Sequence, residues 1–292
     1  MSTLINNLSF QYSVGSSKKA VVLLYGLCGT PLEMGSLPKE IAKLGHTVCI
    51  PNIKGYCAQS GLTSYKTWLE QLHQVVNLLE EEHDSIALVG LSMGATLALA
   101  YESKFKKCSS VTALAPVLFY DGWNVPWYSP ALFILLKLGI KKWSIQESEP
   151  FGLKNTEIRS RIAKKVLTEE VTEVGSSRLS GGHLKEGLRL IAITKKMIVD
   201  YIADLLVISA IDDDVTSPKS AEWVSENTTP HVKKFIWLGN SYHIITLDNE
   251  REIVVNETVE FIHTSFANQE TVSHYNEETK RMLIKNRLSS DN

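Results

Sequence analysis

Short, continuous apolar runs recur along the chain, separated by stretches of helical period. Ala20-Val21-Val22-Leu23-Leu24 and Ile86-Ala87-Leu88-Val89 are such runs, and Thr47 to Ile50, Ser110 to Ala115, Leu205 to Ala210 and Lys234 to Leu238 read as further strands. A run with no polar alternation predicts a strand buried on both faces. Between them, Tyr65, Trp68, Leu69, Leu72, Val75, Val76 and Leu79 step by three and four, which predicts one long helix over 65–82. A helix is also predicted from Pro31 to Leu44, with Thr30 as its N-cap, Pro31 at its first position and Gly45 closing it. Further helices are predicted over 95–100, from Ser217 to Glu226, and over 250–266 with Asp248 or Asn249 as cap. An edge strand is expected around Phe10 to Val14. Strand and helix alternate, so the expected class is α/β: a mostly parallel, doubly wound sheet with helices on both faces.

Residues 117–200 break that rhythm. They hold a third of the chain's aromatic residues within 117–151, then helical stretches over 156–169 and 184–201, and no strand pattern. The expected organisation is a core of residues 1–116 and 201–266, a helical cap over 117–200, and a polar tail over 267–292.

The stretch that carries chemistry is Gly90-Leu91-Ser92-Met93-Gly94, between a predicted strand and a small-residue helix. G-x-S-x-G there is the spacing of a nucleophile elbow. The turn is so tight that positions two before and two after the serine have no room for a Cβ, and both are glycine. A serine hydroxyl needs a base, and the base needs a carboxylate to orient it. In a doubly wound hydrolase both follow the serine, acid before histidine, on loops leaving strands. Asp213 follows one late strand and His243 the next. Asp212 and Asp214 flank the acid and stay open as alternatives; the crowded charge raises the proton affinity of the group. The oxyanion of acyl transfer needs two donors: the Met93 N–H, directly after the serine, and the Leu27 N–H, in the loop after the first central strand. Gly26 and Gly29 let that loop fold close. Tyr25, Phe119, Trp123 and Trp127 are the expected lining of a substrate pocket.

Composition removes other classes. A net charge of −2 from 30 basic and 32 acidic residues gives no electrostatic footprint for nucleic acid. The eight histidines lack zinc-site spacing, and no metal or other cofactor is expected. The four cysteines show no C-x-x-C pattern and read as thiols in a reducing compartment. The N-terminus does not read as a signal peptide, and the longest apolar run, Ala131 to Leu136 and on to Ile140, is too short to span a bilayer. A cytoplasmic protein acting on a small acyl ester or thioester is the expectation.

These residues together resemble the α/β-hydrolase superfamily, specifically bacterial carboxylesterases and monoacylglycerol lipases. Gly26-x-x-Gly29-Thr30-Pro31-x-x-Met34 is similar to the oxyanion loop of that group, Gly90 to Gly94 to its elbow, and Ser241-Tyr242-His243-Ile244-Ile245-Thr246-Leu247-Asp248 to its catalytic-histidine segment. The resemblance implies a Ser92, Asp213, His243 triad with Leu27 and Met93 as oxyanion donors. There are two departures. Where the group has His-Gly, this chain has Tyr25-Gly26; where it has Gly-His-Gly, this chain has Gly55-Tyr56-Cys57. The leading expectation is a serine hydrolase of carboxylic esters working through an acyl-enzyme. A thioesterase or acyltransferase with the same triad is the near alternative, and a non-catalytic ligand-binding protein on the same fold the distant one.

Overall fold

The structure is a computed structural model and describes residues 5, 7–57, 61–146, 148–166, 171–176 and 178–268. Seven strands form the central sheet: β1 (Ser9–Ser13), β2 (Lys19–Leu24), β3 (Thr47–Pro51), β4 (Ser85–Leu91), β5 (Ser110–Leu114), β10 (Asp204–Ala210) and β11 (Lys233–Leu238). Their order is β1-β3-β2-β4-β5-β10-β11. Only β1 runs antiparallel, on the edge beside β3; all other pairs are parallel. The runs of β2 and β4 take central places with both faces covered: Ala20 to Leu23 and Ala87 to Val89 have no exposed surface. Strand β11, on the edge opposite β1, keeps Lys233, Lys234 and Trp237 exposed.

Helices α1 (Leu37–Lys43), α2 (Tyr65–Glu80), α3 (Met93–Phe105), α7 (Lys219–Asn227) and α8 (residues 251–268) pack on the sheet. The buried face of α2 is Trp68, Leu69, Leu72, Val75, Val76 and Leu79, the stripe its period predicts. Helix α3 is buried nearly all round, and its alanines allow the close approach this requires. The helix expected over 31–44 is two pieces. Pro31–Met34 is a 3₁₀ turn, Gly35 follows with φ 55°, and α1 then starts anew. Pro38 explains the break: deep inside one helix it would remove a hydrogen bond, whereas near the start of α1 it costs none.

Between β5 and β10 the chain leaves the sheet. Helices α4 (Ser129–Lys137), α5 (Thr156–Val166) and α6 (Gly181–Met197) lie there. So do four short strands where only helices were expected. β6 (Ser144–Gln146) pairs with β9 (Arg178–Ser180), and β7 (Val171–Thr172) with β8 (Gly175–Ser176). Strands of two or three residues are too short for an alternating pattern to register. The predicted tail lies, from residue 269 onward, outside the described residues, as does the end of the helix expected over 156–169. Among the described residues no helix is long and apolar enough to cross a membrane.

Candidate active site

Ser92 is the single residue between β4 and α3, and its backbone sits at φ 59°, ψ −121°. A non-glycine residue held there is strained, and the surrounding packing over-determines it. A Cβ at Gly90 would stand 2.3 Å from the Gly94 carbonyl oxygen, and one at Gly94 2.2 Å from that of Leu24. Neither contact is possible, so both elbow glycines are required by backbone crossing backbone. The Ser92 N–H is anchored to the Leu114 carbonyl at 2.8 Å.

His243 lies on the loop after β11 and is 4% exposed. Its Nε2 is 2.7 Å from the Ser92 Oγ, and its Nδ1 is 2.8 Å from Asp213 Oδ2. The three consecutive aspartates after β10 have three separate environments. Asp213 meets the imidazole with Oδ2, while Oδ1 accepts the Val215 and Thr216 N–H groups at 2.8 and 2.9 Å. Asp214 faces the backbone instead, accepting the His243 N–H at 3.3 Å and the Gly152 N–H at 3.2 Å. Burial pushes its carboxyl above the ordinary value. Asp212 is exposed and pairs with Lys154 at 2.9 Å. Burial by itself lowers the proton affinity of His243, but the carboxylates of Asp213, Asp214 and Glu33 outweigh it, and the net shift is upward.

The loop after β2 holds Leu27. Cys28 donates its N–H to the Tyr56 carbonyl at 2.9 Å and Gly29 to the Gly26 carbonyl at 2.9 Å. No acceptor among the described residues takes the N–H of Leu27 or of Met93, the first residue of α3. The two departures from the group's pattern touch one another. Tyr56 donates its hydroxyl to the Tyr25 carbonyl at 2.8 Å, and the two rings lie 5.8 Å apart. Burial pushes both phenols upward, so both remain neutral donors. Asp248, expected as a helix cap, does more: its carboxylate accepts the N–H groups of Lys154, Asn155, Tyr242 and Asn249 at 2.7–2.9 Å. It thereby staples the His243 segment to the start of α5.

A cavity of about 120 Å³ opens on Ser92 and His243. Its apolar wall comes from Tyr120, Phe151, Val174, Leu179, Val215 and Ile244. None of the four rings expected to line it does so. Tyr25 is buried, with its hydroxyl 3.4 Å from the Pro51 carbonyl. Phe119 lies under the ammonium groups of Lys195 and Lys219. Trp123 donates its indole N–H to the Asp212 carbonyl at 3.0 Å, and Trp127 is 90% exposed. Aromatic density in a turn-rich segment has no period, so it carries no direction for any ring.

The sequence reading missed Glu33, which lines the same cavity and is 3% exposed. Its signal was present: Thr30-x-x-Glu33 has capping-box spacing, and Glu33 accepts the Thr30 N–H at 3.3 Å.

The sequence profile described as serine aminopeptidase, S33, matches residues 15–251. The thermostable monoacylglycerol lipase of Bacillus sp. (strain H-257) is 25% identical over 244 residues, covering 82% of this chain and 89% of the lipase. The carboxylesterase of Bacillus subtilis (strain 168) is 23% identical over 254 residues, covering 84% and 92%. The fold is shared with the monoacylglycerol lipase of Paleococcus ferrophilus, at a TM-score of 0.72 and 19% identity over 87% of this chain and 98% of that one. The chain belongs to the serine aminopeptidase S33 family, within the esterase and lipase group of α/β hydrolases.

Proposed function

We propose that this protein is a serine hydrolase that cleaves a carboxylic ester of a short acyl group through an acyl-enzyme on Ser92. The observation that carries this reading is the unbroken chain from Ser92 through His243 to Asp213, with links of 2.7 and 2.8 Å. His243 Nε2 takes the hydroxyl proton as Oγ attacks the acyl carbon. The carbonyl oxygen, now anionic, is met by the N–H groups of Leu27 and Met93. The imidazolium returns its proton to the departing alkoxide. Water then attacks the acyl-enzyme with His243 again as base, releasing the acid and restoring Ser92. Asp213 holds Nδ1 protonated, so that Nε2 is the free acceptor at the start of each half-reaction.

Residues 117–200 act in this reading as a cap that bounds the acyl site. A cavity of about 120 Å³ is slightly smaller than the roughly 150 Å³ apolar cavity that admits a benzene ring, so it suits a short acyl group. A peptide with a free amino terminus needs a carboxylate to meet its ammonium. Glu33 is the one carboxylate in the described lining, and both its oxygens already accept backbone N–H groups. That observation favours an ester over an aminoacyl substrate.

A panel of p-nitrophenyl esters from acetate to dodecanoate tests the reading, run beside an acyl-thioester and an aminoacyl p-nitroanilide. The expected kcat/KM is highest at acetate to butyrate and lower by about tenfold or more at dodecanoate. A preference for the thioester would move the leaving group from alcohol to thiol, and a preference for the anilide would overturn the ester assignment.

A further inference from the structure

Glu33 sits in a cup of glycines. A Cβ at Gly29 would fall 2.3 and 2.5 Å from its two carboxylate oxygens, one at Gly175 2.9 Å from Oε1, and one at Gly26 3.0 Å from Oε2. Three separate positions thus lack a side chain where this carboxylate lies. Its Oε2 accepts the Gly26 N–H at 2.7 Å, a short, charge-assisted bond, and Oε1 accepts the Thr30 N–H at 3.3 Å. The two donors bracket the oxyanion loop at its ends, with Leu27 between them. The backbone of the same residue reaches the other half of the site, because the Thr246 hydroxyl, three residues beyond His243, donates to the Glu33 carbonyl. The β7–β8 hairpin also packs on the loop, where the Ser176 N–H donates to the Cys28 carbonyl at 2.9 Å.

We propose that Glu33 is the positioning residue of the oxyanion hole, clamping the Gly26–Thr30 loop at both ends so that the Leu27 N–H is aimed before the substrate arrives. The inference rests on the Ser92 hydrolase reading and adds a residue to it. A loop with glycine at two of its five positions has many conformations open to it, and only one points the Leu27 donor at the developing charge. Fixing that direction in advance is what makes an oxyanion donor effective.

The carboxylate has a second consequence at His243. The groups that face His243 are Asp213 and Asp214 from the loop after β10, Glu33 from the turn after β2, and the Ser92 hydroxyl from the elbow. Those facing Glu33 include His243 and the Tyr25 and Tyr56 phenols, and Arg178 of β9 lines the same cavity. A base must be neutral to act, so the rate falls as pH drops through the histidine value. With that value raised above the ordinary imidazole value, the acid limb of kcat/KM is expected to lie higher than that of a free imidazole base. It moves down when the Glu33 charge is removed.

The test compares wild type with Glu33→Gln, Glu33→Asp and Glu33→Ala on a short p-nitrophenyl ester, with a melting curve for each protein. Glu33→Ala is expected to lower kcat by about 10²–10³-fold with little change in KM, the loss typical of one oxyanion donor. Glu33→Gln, nearly isosteric, keeps one acceptor; it loses about tenfold or more in kcat and shifts the acid limb downward. Glu33→Asp keeps the charge but withdraws it by one methylene, so kcat falls while the acid limb stays nearer wild type. A purely structural role would lower the melting temperature and leave the acid limb in place. Should Glu33→Ala fail to fold, the Gln and Asp variants carry the test. Variants that match wild type in kcat to within about twofold, with an unmoved acid limb, overturn the proposal for Glu33 alone. A folded wild type with no ester turnover overturns the Ser92 reading and this proposal with it.

Discussion

His243→Ala is expected to lower kcat on a short p-nitrophenyl ester by about 10⁴–10⁶-fold, the range seen when one member of a Ser-His-Asp unit is removed. The reason is geometric. Nε2 is the group within hydrogen-bond distance of the Ser92 Oγ, at 2.7 Å, and no other histidine of the described residues contacts that hydroxyl. Without it the serine stays protonated at neutral pH, and the leaving alkoxide has no acid. The KM should change little, because the cavity wall and the Leu27 and Met93 N–H groups are left in place. The same change strands the Asp213 carboxylate, 3% exposed, without its imidazole. Removing one partner of a buried pair costs stability, so a lower melting temperature accompanies the kinetic loss. His243→Gln fills more of the volume and provides a second variant. Steady-state kinetics at saturating ester check the prediction; turnover within about tenfold of wild type would exclude His243 as the base.

The second large effect separates the three aspartates. Asp213→Asn is expected to reduce kcat by about 10⁴-fold, because an amide at Nδ1 favours the wrong imidazole tautomer. Asp212→Asn should leave kcat near wild type. Its carboxylate is 55% exposed and its partner is the Lys154 ammonium, and surface ion pairs contribute little. Asp214→Asn should fall between them. It keeps one backbone acceptor of the two that position the His243 and Gly152 N–H groups, so the loop loosens while the imidazole keeps its Asp213 partner. A loss confined to Asp214 or to Asp212 would contradict the assignment of Asp213.

The parts of this molecule that a reader of the sequence can recover are those fixed by burial on both faces or by backbone crossing. Strands β2, β3, β4, β5 and β10 lie within a residue or so of their predicted places, because a central parallel strand has no solvent side to interrupt it. Strand β11 also falls in its expected place, although it is the sheet edge and exposes Lys233, Lys234 and Trp237. The elbow is legible because Gly90 and Gly94 exclude any side chain. Strand order along the chain then points to Asp213 and His243 as the residues that meet at Ser92.

What escapes notice depends on direction rather than composition. Nothing in the spacing of Trp123 and Trp127 says that one ring meets Tyr242 edge-on while the other stands in solvent. The rings that line the cavity, Tyr120 and Phe151, come from the same aromatic segment and look no different in the sequence. The four short strands between β5 and β10 are set by tertiary pairing alone. Glu33 sits between these cases. Its capping-box spacing marks it as a loop-ordering residue, but only the cup formed by Gly26, Gly29 and Gly175 places it beside the loop that holds Leu27.

Nucleophilic attack by Ser92 is the claim on which the rest depends, and a fluorophosphonate probe addresses it directly. Folded wild-type protein is incubated with the probe, its intact mass is measured, and the modified peptide is mapped. The predicted result is one adduct per chain on the peptide carrying Gly90-Leu91-Ser92-Met93-Gly94, absent from folded Ser92→Ala. No adduct on the folded wild type, or equal labelling of Ser92→Ala, would contradict it.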